Sequence, residues 1–279
     1  MSSEPLLHVE NLSITFSSHG RTTKAVKSIS FSVGTGEVLA VVGESGSGKS
    51  VSALSLTRLL PSPPLCNIQG SILWRGRDLQ KVTEEQLTQI RGKEIAYIFQ
   101  DPGTSLNPVY TIGYQIAEAV KIHEPTTKDI DAVVHQSLHD VLIDDPHKVA
   151  QQYPHELSGG MQQRAMIAMA LACNPKLLVA DEPTTALDVT IQKEIIDLLK
   201  RLRQQRKMSI LLITHNFGIV AHFADRVQVM RQGEIVESGE TTTVMQNPAH
   251  PYTRGLIACI PRLGQRRRRL TTLSEEIKP

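Results

Sequence analysis

Two segments carry residues whose types and spacing suit phosphate chemistry. The run Gly43-Glu44-Ser45-Gly46-Ser47-Gly48-Lys49-Ser50 fits the spacing GxxxxGK[ST]. Its glycines let the backbone wrap closely around phosphate oxygens, because no Cβ stands in the way. Successive N–H groups then turn inward as an anion nest, and the start of a following helix adds partial positive charge. Lys49 meets the terminal phosphates as a point charge, and the Ser50 hydroxyl is a hard oxygen ligand for Mg²⁺. The second segment is Leu177-Leu-Val-Ala-Asp181-Glu182-Pro183, an apolar run that ends in two acids. A strand there carries Asp181 to the edge of a sheet, where it can orient the Mg²⁺ shell. Glu182 then stands where a carboxylate can accept a proton from an attacking water. Acids at a strand end are otherwise often no more than solvated. The phosphate loop upstream gives this pair a use.

The elements that must position these groups show in the pattern of apolar residues. Val38-Leu-Ala-Val-Val42, Leu177-Leu-Val-Ala180 and Ile210-Leu-Leu-Ile213 are continuous apolar runs, as in strands of a parallel sheet buried on both faces. Leu12, Ile14 and Phe16 alternate with polar residues, as do Ile29, Phe31 and Val33, and Ile72 and Trp74, which predicts a half-exposed antiparallel layer. A helix is expected over 51–60, stopping at Pro61. Helical spacing also joins Ile191, Ile195, Leu198, Leu199 and Leu202, and joins Ile130, Val133, Val134, Leu138, Val141 and Leu142. The expected architecture is one α/β unit over 1–279. Segments 5–99 and 175–245 form its core and antiparallel layer, 100–174 form an inserted helical lobe, and 246–279 form a polar C-terminal extension.

Composition bounds the class. Thirty basic against 28 acidic residues give a formal charge of +2, which does not mark a nucleic-acid binder. The four arginines at 266–269 read as a solvated tail. Cys66, Cys173 and Cys259 share no metal-ligand spacing and read as reduced thiols. No signal peptide and no run of about 18 apolar residues is visible, so any work at a membrane is expected to go through partners.

Further motifs resemble the ATPase subunits of ABC transporters. Leu157-Ser158-Gly159-Gly160-Met161-Gln-Gln-Arg164 is similar to that family's LSGGQ signature, with Met161 where the family usually has Gln. Ser158 is also a sound N-cap for a helix running to Asn174-Pro175. Gln100, after Ile95-Ala-Tyr-Ile-Phe99, looks like the Q-loop glutamine that contacts Mg²⁺ and water. Thr185-Ala186-Leu187-Asp188 looks like the D-loop, and His215 like the switch histidine at the γ-phosphate. Phe16 is given the adenine-stacking role, and Val51 completes the nucleotide-binding run. The resemblance implies a P-loop NTPase (RecA-like) fold and an ATPase that uses ATP and Mg²⁺.

The resemblance narrows to the oligopeptide/dipeptide importer branch, on Phe99-Gln-Asp-Pro-Gly-Thr-Ser-Leu-Asn-Pro108 and His250-Pro-Tyr-Thr-Arg254. Lys49-Ser50-Val51 and Ser158-Gly-Gly-Met161 look like the first of that branch's two paired ATPases. Some members hold an iron–sulfur centre on C-terminal cysteines. Only Cys259 stands there, so no cluster is expected. The implied partners are a second, distinct ATPase subunit, two membrane permease subunits and, indirectly, an external solute-binding protein, with no nucleic acid. Ser158, Gly159 and Gly160 would close over ATP held by the second subunit. The implied place is the cytoplasmic face of the inner membrane, held through the permeases. A DNA-repair or ribosome-acting relative would carry long coiled coils or two linked ATPase units, and neither is seen. An exporter would usually carry fused membrane helices, and a non-catalytic regulator would lack some of Lys49, Asp181, Glu182 and His215.

Overall fold

Strands of alternating burial build one sheet, and strands buried along their whole length build the other. The computed structural model describes residues 4–18, 20–185 and 187–259. Ala186 and the four arginines at 266–269 therefore lie outside the described residues, as does the extension beyond 259. The first elements are β1 (Leu7–Ser18), β2 (Arg21–Val33), β3 (Val38–Val42), α1 (Lys49–Ser55), β4 (Cys66–Trp74), β5 (Arg77–Asp78), α2 (Glu84–Thr88) and β6 (Ile95–Ile98). There follow α3 (Pro102–Ser105), α4 (Ile112–His123), α5 (Ile130–Asp140), α6 (Pro146–Gln151), a 3₁₀ turn and α7 (Gly159–Leu171). The chain then runs through β7 (Leu177–Asp181), α8 (Val189–Arg206), β8 (Ser209–Thr214), α9 (Phe217–Phe223), β9 (Arg226–Arg231), β10 (Glu234–Glu240), α10 (Thr241–Gln246) and α11 (Pro251–Ala258).

The antiparallel sheet has the order β2-β1-β4-β5, and the second sheet the order β10-β9-β3-β8-β7-β6. In the second sheet β9, β3, β8, β7 and β6 pair in parallel, and β10 closes one edge antiparallel to β9. Both sheets have the character their apolar patterns predict. Every residue of β3 and β8 is buried. Alternate residues of the same strands feed two cores. Ala40, Val42, Leu178, Ala180, Ile210 and Leu212 face a core shared with α4, α5, α7 and α8. Leu39, Val41, Leu177, Val179, Leu211 and Ile213 face a core shared with Leu7, Ile14 and Val26 of the antiparallel sheet. Each valine, leucine and isoleucine among them contributes about 1.5–3 kcal/mol of burial, which fixes the strand register on which the site depends.

Several boundaries differ from the sequence reading. The helix expected over 51–60 starts at Lys49 and ends at Ser55, and Arg58 turns back with φ 54°. There its guanidinium donates to Leu79 O and Val82 O, which pins the turn. Val141 and Leu142 fall just past α5, where Leu142 takes φ 60°. The helix after Ser158 ends at Leu171. The polar stretch after Gly239 forms two short helices, α10 and α11, fixed by burying Val244 and Tyr252 in the first core. Among the described residues, no helix is long and apolar enough to cross a membrane.

Candidate nucleotide site

The parallel strands end in register on one edge. Val42 pairs with Thr214, Ile213 with Asp181, and Ala180 with Ile98. The carboxyl ends of β3, β8, β7 and β6 therefore deliver the loop at 43–50, His215, Asp181 with Glu182, and Gln100 to the same level. Open α/β sheets bind ligands at such an edge.

A cavity of about 580 Å³ opens there. Its walls include Ser45, Gly46, Gly48, Lys49, Ser50 and Val51 from the loop, and Gln100, Glu182 and His215 from the strand ends. Ala25 of β2 completes the lining, a position the sequence reading did not single out. A methyl side chain gives no chemical signal. Its carbonyl explains a glycine, though: a Cβ at Gly48 would stand 2.5 Å from Ala25 O, and Gly48 has φ 104°.

Lys49 is buried, and its ammonium donates to Gly43 O at 2.9 Å and Glu44 O at 2.8 Å. Burial lowers its pKa, while Glu182, Asp181 and Glu44 act to hold the proton on. The Ser50 hydroxyl donates to Asp181 Oδ1 at 3.0 Å. Burial raises the Asp181 carboxyl and the neighbouring Glu182 adds to the rise, against the Ser50 hydrogen bond and the Lys49 charge.

Glu182 is the most constrained group. It has φ 47°, a left-handed conformation that costs a non-glycine residue roughly 1–2 kcal/mol, and its N–H is tied to Ile213 O at 2.9 Å. One carboxylate oxygen, Oε2, receives the Thr185 hydroxyl at 2.6 Å and the Gln100 amide at 3.4 Å, with His215 Nδ1 at 3.2 Å. Burial pushes this carboxyl up, but Thr185, His215 and Lys49 together hold it below the usual range. The carboxylate is thus ionised at neutral pH and aimed at the cavity. The share of Thr185 in this was not foreseen; only the geometry reveals it.

The other expected site residues lie elsewhere. Phe16 is half-buried at the end of β1, paired with Thr23 and Cys66, and does not line the cavity. Gly43, Glu44 and Ser47 do not line the cavity either: Gly43 and Ser47 are buried, and Glu44 is exposed. Ser158 is exposed and caps α7 by accepting the Met161 N–H at 3.4 Å, and exposed Asp188 caps α8 by accepting the Ile191 N–H at 3.0 Å. Gly159 and Gly160 sit against Leu187 and Ile191, so the signature segment adjoins the start of α8. None of these four lines the cavity of its own chain.

Residues 26–185 match the family described as ABC transporter. The chain belongs to the ABC transporter family. Residues 236–278 of this ABC chain match a second description, Oligopeptide/dipeptide transporter, C-terminal region. It is 49% identical over 259 residues to the oligopeptide transport ATP-binding protein of Bacillus subtilis, covering 92% of this chain and 72% of that one. It is 47% identical over 271 residues to the dipeptide transport ATP-binding protein of Escherichia coli K12, covering 96% and 82%. Among solved structures it resembles a dimeric ATP-binding cassette in a post-hydrolysis state bound to ADP and Pi. That match has a TM-score of 0.75 and 25% identity, and covers 84% of this chain and 98% of the other.

Proposed function

We propose that this chain is the ATP-binding and ATP-hydrolysing subunit of an importer of peptides or similar small solutes, and the first of two distinct paired ATPases. The observation that carries the chemistry is the meeting, at one sheet edge, of Lys49, the Ser50–Asp181 pair and the Glu182 carboxylate with Gln100 and His215. Peptide import draws its support from the C-terminal match and from the relatives named for oligopeptide and dipeptide transport.

The loop at 43–50 would receive the phosphates, and the Lys49 ammonium would exchange its carbonyl partners for phosphate oxygens. Ser50, Asp181 and Gln100 form a set of hard oxygen donors that fits Mg²⁺, and a buried acid with a raised pKa gains from a cation beside it. When bound, Mg²⁺ offsets charge on the transferred phosphoryl group. Glu182 accepts the proton of the attacking water, and Gln100 and His215 orient that water and the γ-phosphate. Phe16, on β1 outside the cavity, is assigned to the adenine on the family resemblance alone.

Ser158, Gly159 and Gly160, with Asp188, act on the nucleotide of the second subunit. ATP then holds two subunits together, and hydrolysis releases them. The 70% exposed Val109 and the exposed Phe99, Tyr110 and Tyr114 favour docking of a permease subunit beside Gln100. Such docking puts the chain on the cytoplasmic face of the inner membrane, with an external solute-binding protein as an indirect partner. The test is Glu182→Gln. ATP affinity should stay within about threefold, while turnover falls by on the order of 10²-fold or more. Turnover close to wild type refutes Glu182 as the base.

A further inference from the structure

The phosphate loop has a floor built by the C-terminal third of the chain. Gly233, at the tip of the β9–β10 hairpin, donates its N–H to Ser47 O at 3.0 Å. The carbonyl of Met230 lies directly under Gly43. The third contact comes from α11: the Glu44 N–H donates to the Tyr252 hydroxyl at 3.2 Å, across 208 residues of sequence.

Tyr252 is held firmly enough to act as a support. It is 1% exposed, and the Arg231 guanidinium lies 4.8 Å from its ring centroid. Its own N–H donates to His250 Nδ1 at 3.1 Å. The approach of α11 is fixed in turn by Glu237 of β10, whose carboxylate accepts the N–H groups of Ala249 at 2.7 Å and His250 at 3.1 Å. A continuous set of contacts thus runs from β10 through the start of α11 to the second residue of the loop.

We propose that Tyr252 is a positioning residue for the nucleotide site. Its hydroxyl holds the Glu44 amide away from the cavity and so sets the turn of the loop that receives the phosphates. Docking of α11 and phosphate binding are thereby coupled. The Glu44 carboxylate acts on the same hydroxyl, which burial and that charge raise in pKa, so the hydroxyl keeps its proton while it accepts the amide. Without the oxygen, the amide loses its partner and the loop is free to turn it elsewhere. This inference rests on the nucleotide-binding reading given above.

The test compares full-length wild type, Tyr252→Phe and Thr253→Val. Tyr252→Phe keeps the ring under Arg231 and removes only the hydroxyl. Thr253→Val alters the buried face of the same helix and leaves the Tyr252 hydroxyl unchanged. Equilibrium titration with Mg-ATP should show a Kd about fivefold higher for Tyr252→Phe, which is ~1 kcal/mol. Thr253→Val leaves the Tyr252 hydroxyl on the Glu44 amide and should leave Kd unchanged; a Kd raised as much as in Tyr252→Phe would show that loosening the helix, not losing the hydroxyl, sets the affinity. Hydrogen exchange in the segment 43–49 should quicken in Tyr252→Phe alone. Equal Kd and equal exchange in wild type and Tyr252→Phe overturn the role of Tyr252 while leaving the ATPase reading intact. A wild type that does not bind Mg-ATP overturns both.

Discussion

Gly43→Ala asks whether the phosphate loop must press against β9. A Cβ at Gly43 would stand 2.1 Å from Met230 O and 3.0 Å from Ser47 Oγ. Relieving the first overlap takes a shift of about 1 Å, since carbon and oxygen repel strongly inside ~3 Å. Met230 cannot supply that shift cheaply. It is fully buried in β9, a strand paired with β3 on one side and β10 on the other. The loop must therefore move. Gly43 O is also one of the two carbonyls that hold the Lys49 ammonium, so the displacement carries the cation with it. A misplacement of about 1 Å at a reacting site costs on the order of 10²-fold in rate. Overpacking of this kind costs about 1–3 kcal/mol of stability, and each kcal/mol lowers Tm by roughly 2–4 °C in a chain of this size. The assay is steady-state ATP hydrolysis, with kcat/KM set beside a thermal melt. The expected result is a folded protein, a few degrees less stable, with kcat/KM down about a hundredfold. A folded Gly43→Ala protein with wild-type kcat/KM refutes the idea that the floor fixes the loop.

Two further outcomes test neighbouring parts. Lys49→Ala removes a charge-assisted donor worth about 1.5–3 kcal/mol, so Mg-ATP affinity should fall by roughly 10–100-fold; unchanged affinity in a direct titration argues against the loop as the phosphate site. Glu237→Gln should cost about 1–2 kcal/mol at pH 7 by weakening the hold on Ala249 and His250, seen as a lower Tm. Burial pushes the Glu237 carboxyl up, but the Thr253 hydroxyl and the two amides outweigh it, so the folded pKa lies below the unfolded one. A depressed carboxylate pKa stabilises above the unfolded value and loses that stabilisation as pH falls through the folded one. The Tm gap between wild type and Glu237→Gln should therefore be full at neutral pH and narrow below about pH 4.3; a gap that stays constant to pH 3.5 sinks this account.

Legibility in the sequence followed the range of the interactions. β3, β7 and β8 show as unbroken apolar runs because both of their faces are buried, and that property is written residue by residue. The loop at 43–50 shows because its chemistry needs eight consecutive residues. Glu182 shows as an acid ending the apolar run of β7, Gln100 and His215 were placed by resemblance, and the register of β6, β7 and β8 then accounts for the meeting of all three. α11 was hidden because it is only eight residues long and follows a polar stretch, although Pro251 at its first turn is a helix-start signal. Its stability comes from burying Tyr252, not from helix propensity. Ala25 was hidden because what it contributes is a carbonyl and a small side chain, and neither has a residue-type signature.

Tyr252 shows most sharply why some functional positions escape a reading by local spacing. The segment His250-Pro-Tyr-Thr was legible as a branch marker, yet nothing within it says that its hydroxyl meets a residue 208 positions earlier. The meeting is produced by topology. β9 lies beside β3 in the sheet, so the hairpin that follows β9 must pass under the loop that follows β3. The chain leaving β10 has only α10 and a short connection before α11, and Glu237 ties that connection back to its own strand. The strand order thus puts the C-terminal segment beside the loop at 43–50, and a buried tyrosine at that place can reach the Glu44 amide with its hydroxyl.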